Sequence, residues 1–167
     1  MVDIATGIPN RELFNDRLVQ ALGLARRYDW ILAVMFIDLD GFKHINDTYG
    51  HVIGDKVLQI LAQRLDEQVR IEDAVCRYGG DEFLYLLVNP RTIKNVRRIA
   101  RSIFERISET LTVDGLALTV APSIGIAVYP DHGGTGPELV ANADAAMYPA
   151  KRTKSGFFLF DNDPAVQ

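Results

Sequence analysis

The sequence predicts an α+β fold: a ferredoxin-like βαββαβ core with extra elements, its antiparallel or mixed five-stranded sheet flanked by helices. Three observations predict it. Short apolar runs at residues 30–39, 74–76 and 83–88 alternate with longer amphipathic segments. The pair Gly79-Gly80 separates two of those runs closely enough to make a hairpin. The order of segments is strand, helix, two strands, helix, strand, with a helix before and a helix and strand after.

Residues 11–28 place Leu13, Phe14, Leu18, Leu22 and Ala25 at helical spacing. Residues 30–37 are almost unbroken in their apolar character, which suits a strand buried on both faces. That run ends in Asp38-Leu39-Asp40. In a strand, Asp38 and Asp40 share one face and Leu39 takes the other. Carboxylates that end a buried strand are costly unless something cationic sits beside them. Residues 41–55 read as a polar, glycine-punctuated connection. A strand, a turn with outward N–H groups and then Lys43 would cradle phosphate beside a metal. Hard oxygen donors point to Mg²⁺ rather than zinc. His44, His51 and His132 lack zinc-ligand spacing.

Residues 54–69 form a helix with Val57, Leu58, Leu61 and Leu65 on one face. The hairpin follows, with Asp81 and Glu82 at or just after its turn. It reads equally as a metal-holding tip, where Gly79 and Gly80 let a bulky anion approach the backbone, or as an ordinary turn with solvated acids. Residues 91–110 form a helix with Ile93, Val96, Ile99, Ala100, Ile103, Phe104 and Ile107 inward. Residues 116–128 hold one strand, bent or interrupted at Pro122. Residues 137–148 form a helix with proline in its first turn, and 157–160 a last strand. No repeat, low-complexity tract or interior linker divides residues 1–167, so one domain is expected.

A net charge of −4 argues against a nucleic-acid groove. The single cysteine, Cys76, lies in a predicted strand and excludes an intrachain disulfide. No apolar run approaches the roughly 20 residues that span a bilayer, and no signal peptide is present. The expected compartment is the cytoplasm, with a membrane anchor in a parent protein still compatible.

Five motifs in order resemble the GGDEF family, the diguanylate cyclases. They are residues 3–11 (DIATGIPNR, with Ala5 where leucine is usual), 36–47 (FIDLDGFKHIND), 79–83 (GGDEF), 123–127 (SIGIA) and 144–151 (DAAMYPAK). The resemblance covers nearly the whole chain. It implies a fold similar to the palm of nucleotide cyclases and condensation of two GTP molecules into cyclic di-GMP with release of two pyrophosphates. It also implies a transient homodimer, dependence of the reaction on Mg²⁺ (or Mn²⁺), and an upstream sensory domain in a parent protein, to which this family often adds a downstream EAL domain.

By the same resemblance, Asp38, Asp81 and the Leu39 carbonyl are metal ligands. Glu82 either assists deprotonation of the attacking hydroxyl or holds a second metal; Asp40 is a supporting or capping acid. Gly41, Phe42, Lys43 and Lys151 contact phosphates, and Asn46 and Asp55 read guanine. Asp55 alone would read as a helix cap or first-turn acid. After Lys151 the chain departs from the family: Gly156 comes late with no basic residue behind it, so either Arg152 or Lys154 substitutes or γ-phosphate binding is weaker. Pro149 is expected to end its helix early. Arg70 and Asp73 match the family's RxxD product-inhibition motif, with Arg101 as an accessory contact. Without the resemblance, these three are a surface ion pair and a solvated helix face. Besides an active cyclase, two readings stand: a GTP-binding regulatory module and a non-catalytic cyclic di-GMP receptor.

Overall fold

The structure, a computed structural model, describes residues 1–153 and 155–161. Helix α1 (Arg11–Tyr28) starts where the Asn10 side chain accepts the Leu13 N–H. It leads to β1 (Leu32–Asp40), then α2 (Phe42–Tyr49), α3 (His51–Gln68), β2 (Ala74–Gly79), β3 (Glu82–Val88) and α4 (Ile93–Ser108). A small hairpin, β4 (Leu111–Val113) and β5 (Leu116–Leu118), precedes β6 (Ala121–Tyr129), α5 (Gly136–Ala150) and β7 (Phe157–Leu159).

The five-stranded sheet has the order β2-β3-β1-β6-β7. Its first four strands pair antiparallel, in the ferredoxin-like order; β7 joins β6 in parallel, so the sheet is mixed. Alternation along β1 divides the interior. Met35, Ile37 and Leu39 join the core beneath α3 and α4, with Val57, Leu61 and Ile103. Leu32, Val34 and Phe36 join the core beneath α1 and α5, with Phe14, Leu18 and Ala143. Asp38 and Asp40 therefore emerge on the α1/α5 side, where the sheet ends.

Four expectations change. Residues 41–55 are not an irregular connection but α2 and the first turn of α3. Phe42 and Ile45, three apart, bury one face of α2, and Gly50 at φ +89 separates the two helices. The strand expected over 116–128 is two strands in different sheets, and β4, in the unassigned stretch just beyond the helix expected over 91–110, pairs with the first of them. Pro149 does not end α5, which runs on to Ala150. Ile93, expected inward, is exposed at the first position of α4, directly after the Thr92 cap.

Candidate active site

The register of the central strands assembles the carboxylates. Asp38 lies opposite Glu82 on one side and Ser123 on the other. Leu39 donates its N–H to the Asp81 carbonyl at 3.1 Å. In a strand the C=O of a residue points the same way as its N–H, so the Leu39 carbonyl also faces the hairpin tip. Arg77 holds that tip, donating from Nε (2.9 Å) and Nη2 (2.8 Å) to the Gly80 carbonyl. Gly80 sits at φ +51, which a side chain would strain. Arg77 also reaches Asp3 at 3.5 Å, and Asp3 in turn accepts from the Thr6 N–H and hydroxyl. The first motif thus buttresses the hairpin.

Lys151, the C-cap of α5, spans Asp38 (2.6 Å) and Asp40 (2.7 Å). These bonds hold its ammonium above the ordinary lysine range although burial pulls the other way. Asp40 also accepts a hydrogen bond from the Ser123 hydroxyl. Burial, then the charge of Asp38, pushes the Asp81 carboxyl up; its own N–H and Lys151 oppose this. Glu82 is pushed up by burial, then by Asp38, Asp144 and Asp81. Asp144, which the sequence placed only within a motif, is therefore close enough to act on Glu82; α5 packing against the sheet brings it there.

This is a donor set short of positive charge. Among the described residues no group of three or more His, Cys, Asp or Glu side chains forms a complete metal cage. Asp38, Asp81 and the Leu39 carbonyl fit a divalent cation that keeps waters and takes substrate oxygens for the rest of its shell. Lys151 supplies the cationic partner at this rim in the structure.

Gly41 begins α2 at φ +88, and the first-turn N–H groups at Phe42 have no partner within the helix. Phe42 itself is buried and Lys43 exposed. Asn46 leaves α2 half-buried, its Oδ1 enclosed and without a hydrogen-bond partner. Gly54 explains how it fits: a Cβ there would stand 1.7 Å from Asn46 Oδ1. Asp55 is exposed in the second turn of α3, which begins at His51, so a capping role is ruled out. Beyond Lys151, Arg152 turns onto Tyr148, donating to its hydroxyl at 2.8 Å. Lys154 lies outside the described residues. Gly156 holds φ +75 and packs so close to Phe104 that a Cβ would meet the ring at 2.1 Å. Its late position serves that packing.

Arg70 and Asp73 precede β2, whereas Gly79 ends it and Gly80 follows. The length of the strand, about 20 Å at ~3.3 Å per residue, separates them from the carboxylates. Arg70 grips Asp73 through Nε (2.7 Å) and Nη2 (3.2 Å), and Asp73 also accepts the Val88 N–H at 2.8 Å. Arg70 lines a cleft against α1; Arg101 lines a different one against β7. Cys76 is buried in β2, its thiol pushed up to about 12 by burial, so it is inert.

A hairpin of adjacent acids lies beside a second acidic strand end, and comparison with known proteins gives the class of the domain. The diguanylate cyclase GGDEF domain family matches residues 1–156, and the chain belongs to that family. It is 44% identical over 161 residues to the bifunctional diguanylate cyclase/cyclic di-GMP phosphodiesterase MucR of Pseudomonas aeruginosa, covering 96% of this chain and 23% of that protein. It is 43% identical over 155 residues to the diguanylate cyclase TpbB of the same species, covering 92% of this chain and 36% of TpbB. The solved GGDEF domain of TpbB superposes with a TM-score of 0.92 at 42% identity, over 99% of this chain and 98% of that one. The GGDEF domain of DgcB from Caulobacter crescentus, solved in complex with c-di-GMP, matches at TM-score 0.84 and 27% identity, over 95% and 94% of the two chains. The chain spans about a fifth to just over a third of the length of the curated relatives it matches. No helix among the described residues is long and apolar enough to cross a membrane.

Proposed function

We propose that this domain condenses two GTP molecules into cyclic di-GMP, with release of two pyrophosphates, when two copies face each other. One observation carries the reading: the β1–β3 register sets Asp38 opposite Glu82 and ties Leu39 to Asp81 at a hairpin tip. Bound Mg²⁺ or Mn²⁺ at Asp38, Asp81 and the Leu39 carbonyl would neutralise phosphate charge. Lys151, Lys43 and the N–H groups of Gly41 and Phe42 hold phosphate oxygens. Gly79 and Gly80 let the nucleotide approach the backbone. Asn46 and Asp55 bond the guanine edge; adenine would leave Asp55 unpaired. Glu82, with its proton affinity raised, suits acceptance of a proton from the 3′-hydroxyl. The product binds at Arg70, held by Asp73, and at Arg101. Sitting a strand's length from the carboxylates, it would inhibit without displacing GTP.

Residues 1–167 act in this reading as one module of a longer protein that carries sensory and EAL domains, and work in the cytoplasm even where the parent is anchored. The test is product chromatography with GTP and Mg²⁺. The parent domain should form cyclic di-GMP, and Asp81→Ala should form none while keeping its circular dichroism. Full turnover by Asp81→Ala would remove that carboxylate from the mechanism.

A second reading, a GTP-binding regulatory module, is favoured by one feature: no basic residue follows Gly156, and Arg152 is engaged with Tyr148. Tight GTP binding by the parent domain without turnover, under conditions that enforce dimers, would select it.

A further inference from the structure

The cleft beside Arg70, about 490 Å³ in volume, offers more than the Arg70–Asp73 pair. Asp73 is 1% exposed, and both its oxygens are engaged, with Arg70 and with the Val88 N–H. It acts by fixing Arg70. Arg70 is itself committed: besides Asp73 it donates to the Val88 carbonyl at 3.2 Å and pairs with Glu72 at 3.2 Å. The cations with capacity to spare are Arg17 and Arg91, which line the same cleft. Both are exposed and neither makes an ion pair among the described residues. Arg17 makes only a long contact, 3.5 Å, to the Asp73 carbonyl.

Two further features converge there. Arg91 holds φ +76, beside Asn89 at φ +50, a backbone region that side-chain-bearing residues rarely enter. The Asn95 amide donates to the Pro90 carbonyl at 2.9 Å and fixes the loop between them. Trp30, half-buried, also lines the cleft and stacks on Tyr28, ring centroids 5.3 Å apart. Guanidinium groups pair with phosphate through planar forks, and an indole face stacks purines.

We propose that this cleft is the second half of the product site: a guanine base rests on Trp30 while its phosphate lies between Arg17 and Arg91, beside the fixed Arg70. The inference rests on the reading of Arg70 as a cyclic di-GMP contact and adds the residues that would read the ligand's far half.

Trp30 is the only tryptophan in the chain, so its fluorescence reports this contact alone. Cyclic di-GMP is titrated in parallel by fluorescence and calorimetry. Quenching should follow the calorimetric isotherm. Trp30→Leu should bind about tenfold more weakly, as loss of one base stack implies, and Trp30→Phe should recover most of the difference. Arg91→Ala, on an exposed loop and so without cost to the core, should weaken binding about tenfold and flatten its salt dependence. Heat that Arg70→Ala abolishes, without quenching and with Trp30→Leu and Arg91→Ala binding like the parent, overturns this proposal and leaves the Arg70 reading standing. Neither heat nor quenching overturns both.

Discussion

Single atoms decide whether the proposed guanine pocket works. Asn46 Oδ1 is buried without a partner, a cost of about 1–3 kcal/mol for such a group until a ligand meets it. Gly54 is what allows the amide to lie there. Gly54→Ala should therefore expel the Asn46 side chain and weaken GTP binding about tenfold, whereas the melting temperature should fall by no more than overpacking of about 1–3 kcal/mol implies. Asp55→Ala should weaken GTP binding by about 1–3 kcal/mol through its own lost hydrogen bonds. Calorimetry distinguishes the two from wild type. Equal affinity of the parent for GTP and ATP would end the claim for both residues.

At the scale of elements, α5 is the lever that sets Lys151 and Asp144 over the carboxylates. It lies tight against β6 because Gly125 has no side chain: a Cβ there would stand 2.0 Å from the Ala143 carbonyl and 2.3 Å from the Met147 nitrogen. Those are backbone atoms, so the helix must move as a body. Gly125→Ala should cost about 3 kcal/mol in urea unfolding and lower turnover by displacing Lys151.

The loop before α5 has its own pH dependence. His132 Nδ1 accepts the Val128 N–H at 2.9 Å, its N–H donates to the Val128 carbonyl at 2.7 Å and its carbonyl accepts from Asn142. Burial lowers its pKa, opposed by Asp131 and Asp161. The folded state thus binds fewer protons than the unfolded state once the pH falls toward the unfolded value, about 6.5. Stability from this group is complete above that pH and is lost as pH falls through it to the lower folded value. Melting temperatures at pH 7.5 and 5.0 should differ more for wild type than for His132→Asn, which keeps an acceptor that does not titrate. Identical pH dependence in the two proteins would show that His132 does not contribute.

At the scale of the molecule, the proposed chemistry needs two GTP-loaded sites face to face, and no coiled-coil heptads in the sequence hold two copies together. Specific activity should rise with protein concentration and rise further on fusion to a dimerising helix. Light scattering alongside a progress-curve assay checks this; constant specific activity across a range where the protein is monomeric would contradict it.

The order of elements and the positions of the chemistry are legible along the chain. Periodicity defined α1 to the residue, because an amphipathic helix carries its own register in the spacing of Phe14, Leu18 and Leu22. The pair of glycines marked the hairpin, because a tight turn is a local event. Locality also explains the failures. Phe42 and Ile45 are too few to announce α2 within a polar segment, and β4 is three residues whose partner strand defines it. Pro149 read as a helix stop, yet α5 runs past it because Ala146, Met147 and Ala150 are buried against the rest of the fold. The rest comes from long-range packing. It set Asp38 opposite Glu82, laid Lys151 across Asp38 and Asp40 from 111 or more residues away, and placed Asn46 over Gly54. It also put Arg17, Trp30 and Arg91 around Arg70. Those contacts depend on strand register and helix docking, and both are set by burial summed over the whole sheet, which no short stretch of sequence contains.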